Sequence, residues 1–80
     1  MLARARFQAS LSDAGVGAQM ARAAAAGAYQ NVCINLAGLS DAARRSKLLA
    51  RADAAWARAR ELHASAEKET LVKLREAVKP

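Results

Sequence analysis

Eighty residues suffice for one small domain, and a chain of this size buries too little surface to be more than marginally stable without help. The single cysteine, Cys33, excludes a disulfide framework; with no partner ligands at metal spacing it also argues against structural zinc and fits a reducing, cytoplasmic setting. No run of about 18 strongly apolar residues marks a membrane span, so no membrane partner is expected. The net charge of +6 attracts anions and leaves nucleic acid as the generic candidate partner. The hydrophobic share of 54% is mostly alanine, which favours helix but buries little area per residue.

Residues 1–11 are basic, acid-free and weakly periodic, and read as an N-terminal arm or a short helix. Arg4 and Arg6 interrupt any secretory apolar segment, although the composition also suits a mitochondrial-type presequence. Phe7 is large enough to be expected against a partner or the following helix. The first long helix is predicted to begin at Ser12, whose hydroxyl can cap it, with Asp13 near the positive end of the dipole. Gly15 and Gly17 weaken that helix by about 1 kcal/mol each, which points to close approach of another backbone or a ligand. Gly17, Ala21, Ala24 and Ala28 form a narrow stripe, beside a second stripe of Val16, Met20, Ala23, Gly27 and Ile34. Only Arg22 is charged between Ala14 and Ser40, so the helix is expected to be covered on all sides, which requires another chain.

Asn31 and Asn35 lie one turn apart on one face. They either bond across a helix interface and set its register, or line a ligand site. Tyr29 is an interface aromatic or the cap of such a site. Gly38 is expected to end the helix, and Ser40 to cap a second one with Asp41 in its first turn. The second helix has no glycine or proline before Pro80. Leu48, Ala52, Ala55, Ala59, Leu62 and Ala66 mark its seam, Leu49, Trp56 and His63 a row beside it, and Leu71, Leu74 and Val78 a shift in phase. Glu69 and Lys73 should pair along the helix. His63 reads as a packed, hydrogen-bonded histidine rather than a general base. The fold class is therefore all-α: an antiparallel hairpin of two long helices over residues 12–80, completing a helical bundle through oligomerisation or a partner chain.

Two segments carry a resemblance. Ser12-Asp13-Ala14-Gly15-Val16-Gly17-Ala18 and Gly27-Ala28-Tyr29-Gln30-Asn31-Val32-Cys33-Ile34-Asn35-Leu36 resemble the C-terminal part of the formiminotetrahydrofolate cyclodeaminase and methenyltetrahydrofolate cyclohydrolase family. The family pattern is a Ser-Asp start, a small-residue helix and an Asn-Val-x-Ile-Asn run. The Gly-rich motif of the family's larger N-terminal part is not among these residues, so the expectation is a partial domain: a separate subunit, a truncated product or an excised piece.

The resemblance implies a tetrahydrofolate derivative as substrate, with no covalently bound cofactor and no metal. It implies hydrolysis of 5,10-methenyltetrahydrofolate or release of ammonia from formimino-tetrahydrofolate. Asp13 is then the candidate catalytic group, and Ser12, Asn31, Asn35, Arg44 and Arg45 the substrate-binding candidates. The basic run Arg44, Arg45, Lys47 and Arg51 could hold a polyglutamate tail, or be a solvated helix face. Asp13 and Asn31 are 18 positions apart, about 27 Å along a helix, so one chain cannot bring both to one site. The expected partner is a second copy, or a chain carrying the missing N-terminal helices. A non-catalytic assembly or docking module is the alternative. A basic patch without interleaved aromatics is a weak basis for nucleic-acid binding.

Overall fold

A computed structural model describes the backbone of residues 2–79 and the side chains of Arg6 and of residues 10–79. The described residues form two helices: α1, Leu2–Ala37, and α2, Ala42–Val78. They pack against each other as a hairpin 61 Å long and about 15 Å in its other dimensions. No helix among the described residues is long and apolar enough to cross a membrane.

α1 starts at Leu2, not at Ser12. The residues ahead of Ser12 are mostly good helix formers, with no glycine or proline, so nothing stops the helix from running through a serine that could have capped it. Ser12 and Asp13 are thus exposed interior positions of α1. The side chain of Phe7 lies outside the described residues.

α1 ends at Ala37, as expected from Gly38, although the φ of Gly38 is not positive. Two tight bonds close the turn instead: Gly38 N–H to the Asn35 carbonyl at 3.2 Å, and Leu39 N–H to the Leu36 carbonyl at 3.0 Å. The cap of α2 is Asp41 rather than Ser40. Asp41 is extended, and its carboxylate accepts from the Arg44 N–H at 3.0 Å. Asp41→Ala should therefore lower stability by about 1 kcal/mol, whereas Ser40→Ala leaves the thermal melt of the helical signal unchanged.

The seam runs along rows that the sequence only partly indicates. On α1 the half-buried positions are Leu11, Gly15, Ala18, Ala25, Ala26, Tyr29, Cys33 and Leu36. On α2 they include Arg45, Leu48, Ala52, Trp56, Ala59, His63, Glu67, Thr70, Leu74 and Ala77, at spacings of three and four throughout. Leu48, Ala52 and Ala59 match the expected seam. Ala55, Leu62 and Ala66 are exposed, because the bulk of Trp56 draws the contact row towards Trp56 and His63. The phase shift expected at Leu71 and Val78 does not take part in the contact: both are exposed, while Thr70, Leu74 and Ala77 carry the seam on.

Gly15 faces α2 closely. A Cβ there would stand 3.4 Å from Thr70 Cγ2, whereas one at Gly17 or Gly27 would meet nothing within 4 Å. The two small-residue stripes of α1 therefore do not face α2. No described residue reaches full burial, so two alanine-rich helices make a seam rather than a core.

Candidate functional site

At mid-hairpin, Tyr29 of α1 stacks on Trp56 of α2, with ring centroids 5.9 Å apart and planes inclined by 16°. The Arg60 guanidinium lies 5.4 Å from the Trp56 ring centroid. The Tyr29 hydroxyl donates to Asp53 Oδ1. That bond, with a smaller contribution from Cys33, holds the phenol well above its ordinary pKa of 10.0, because ionisation would set a phenolate beside a carboxylate.

Since the raised value belongs to the folded state, its stabilisation is fully present below pH 10 and fades as pH rises through the folded value. Tyr29 is the chain's sole tyrosine, so an absorbance titration reads it directly. The folded chain should ionise later than the denatured chain, and Asp53→Asn should bring the midpoint back down. A folded midpoint equal to the denatured one would contradict the bond.

Two turns beyond Trp56 on α2 is a polar layer. His63 is tucked into the seam, its side chain 12% exposed, and its Nε2 sits 3.1 Å from Gln19 Oε1. Gln19 in turn donates through Nε2 to Glu67, whose carboxylate is 3.7 Å from His63. The packed, hydrogen-bonded reading of His63 matches this arrangement. Glu69 and Lys73 pair at 3.2 Å, as their spacing predicts.

The residues singled out from the sequence fall in two regions of the hairpin. Ser12 and Asp13 are exposed on α1, near one end of the hairpin. Asn31 and Asn35 are exposed on the same helix, about 27 and about 33 Å from Asp13 at 1.5 Å per residue, towards the interhelical turn. Arg44 is exposed in the first turn of α2. Arg45 is half-buried and donates through Nη1 to the Leu39 carbonyl at 2.7 Å, so it ties the turn together. The hairpin keeps Ser12 and Asp13 apart from the others, whereas Asn35, Arg44 and Arg45 all flank the interhelical turn.

Helical geometry adds one relation. At 100° per residue, Asp13, Asn31 and Asn35 lie on the side of α1 turned away from α2. The same side presents Met20, 68% exposed, and Ile34, 70% exposed, with Val16, Ala24 and Gly27. The rear of α2 is different: Lys47, Arg51, Arg58, Glu61, Lys68 and Glu76 make it a charged, solvated face. Sequence reading missed Gln19 and Glu67, and took Arg60 only as one member of a basic mid-chain patch that attracts anions. The signal available was the position of Arg22 and His63 on facing seam rows, which marks a polar layer in an otherwise apolar contact.

A comparison with known families found that the model described as formiminotransferase-cyclodeaminase matches residues 1–54. Searches of curated proteins and of solved structures returned no match.

Proposed function

The chain belongs to the formiminotransferase-cyclodeaminase family, and from that premise we propose that it serves a folate cyclodeaminase or cyclohydrolase site as part of a larger helical assembly. The observation that carries this reading is the family match over residues 1–54, which spans Asp13, Asn31 and Asn35 on the uncovered side of α1. Ring opening at a methenyl or formimino carbon needs a group that manages protons and polar contacts that orient the substrate. Asp13 supplies the first, as an exposed carboxylate. Asn31 and Asn35 supply the second, as paired amide donors and acceptors.

The separation of these groups is resolved by a second copy. Laid antiparallel on the uncovered face, with a two-fold axis at Ala24, it sets Asp13 opposite the partner subunit's Asn35 and Gly17 opposite the partner subunit's Asn31. Each dimer then has two equivalent composite sites, and Gly17, Ala24 and Gly27 let the helices approach closely. Ser12 adjoins each Asp13 as a further hydroxyl. Arg44 remains free to draw an anionic substrate tail by charge, more weakly as salt rises.

Loss of the methenyltetrahydrofolate absorbance band measures hydrolysis. These 80 residues alone should show little or no turnover, since a hairpin with no enclosed concavity offers few walls for a substrate. Fast turnover by the purified chain that Asp13→Asn leaves unchanged would remove Asp13 from the chemistry. The second reading is a non-catalytic assembly module. It draws on the unburied apolar side chains of α1, and would be favoured by association without any folate binding.

A further inference from the structure

Beside the Tyr29–Trp56 stack, a shallow cleft spans the two helices, with Gln19 and Arg22 on one wall and Arg60, His63 and Glu67 on the other. From its charge and its hydrogen-bond bookkeeping we infer that this cleft binds a small oxyanion, a carboxylate or a phosphate, between Arg22 and Arg60. This site is distinct from the Asp13 and asparagine face and does not depend on the proposed function.

The donors and acceptors of the cleft are unevenly matched. Its one carboxylate, Glu67, already accepts from Gln19 and faces His63. Arg22 forms no ion pair or hydrogen bond within the described hairpin, and Arg60 contacts only the Trp56 ring face. Two other arginines of α2 are committed: Arg58 pairs with Glu61 at 3.8 Å, and Arg45 binds the Leu39 carbonyl; Arg44, Arg51 and Arg75 are exposed and do not line this cleft.

Arg22 is also the one charged residue between Ala14 and Ser40, and it sits on the α1 row that faces α2. Arg22 is exposed at the mouth of the cleft, where its guanidinium offers up to five N–H donors to a ligand. An oxyanion supplies two or three acceptor oxygens and pairs with guanidinium in a bidentate geometry. Gln19, His63 and Glu67 hold one another in place, so the cleft floor is fixed before a ligand arrives.

Trp56 is the sole tryptophan and lies under Arg60, so its fluorescence reports what Arg60 binds. The experiment titrates the full chain with inorganic phosphate and, separately, with triglutamate, at low and at high salt. A saturable fluorescence change is expected with at least one probe. Arg22→Gln and Arg60→Gln should each weaken it by about tenfold or more, as expected for loss of a charge-assisted contact. Arg58→Gln, which removes an equal charge from the solvated face, should leave it unchanged.

A response to triglutamate alone identifies a carboxylate ligand, and a response to phosphate alone identifies a phosphate. Helical circular dichroism confirms that each variant is folded, and Arg22→Lys provides a second variant that keeps the charge but loses the bidentate fork. No saturable change with either probe, or an equal loss in Arg58→Gln, would overturn the inference.

Discussion

Trp56→Ala is expected to lower hairpin stability by about 2–3 kcal/mol, the largest single effect on the fold. Burying and then deleting a large aromatic in a full core costs about 3–5 kcal/mol, and Trp56 is only half-buried, so the lower figure applies. Its contacts are nevertheless concentrated: the Tyr29 ring on one side of the seam, the Arg60 guanidinium, and a groove walled by Ala25, Ala28, Ala52 and Ala59. Alanines cannot close over the space that the indole leaves. A chain of 80 residues has little stability in reserve, so thermal unfolding followed by circular dichroism should show most of the cooperative transition lost. Leu62→Ala is the comparison. Leu62 is 54% exposed and off the seam, so its truncation should shift stability by no more than about 0.5 kcal/mol. Equal losses in the two variants would show that Trp56 is not the dominant contact of the seam.

Two glycine substitutions separate the two faces of α1. Gly15→Leu should destabilise the hairpin itself by about 1–3 kcal/mol, because the added side chain enters the space held by Thr70. Gly27→Leu meets nothing within its own chain, and replacing a mid-helix glycine gains helix propensity of about 1 kcal/mol. Its effect should instead fall on assembly, where a leucine at the close-approach face holds two helices apart. Size-exclusion chromatography should show Gly27→Leu helical but smaller than the parent species. An unchanged elution volume would place Gly27 in solvent in the assembled protein as well.

The helices were legible because alanine, leucine, arginine and glutamate run with few interruptions, and the hairpin because Gly38 to Asp41 interrupts them once. Their ends were less so. Ser12 has the chemistry of a cap, but a cap marks a start only where the residues before it resist helix, and these do not. At the second start, Ser40 and Asp41 are both capping types, and the backbone conformation of Asp41 settled between them.

The seam was harder still. In an alanine-rich helix nearly every face is apolar, so spacing alone admits several stripes, and the one with the large side chains Tyr29 and Trp56 prevails. Asp13, Asn31 and Asn35 were visible as residues of a family motif. Their common side of α1 follows from helical geometry once α2 fixes which side is covered. The Arg22 and Arg60 cleft was not visible, since it joins residues 38 positions apart through a register that no local pattern specifies.

Sedimentation equilibrium of the purified chain at micromolar concentration, with circular dichroism on the same sample, tests most directly whether the uncovered face of α1 is an interface. The expected result is a helical species of at least twice the 8.4 kDa of one chain. A stably folded, helical species of 8.4 kDa would contradict it.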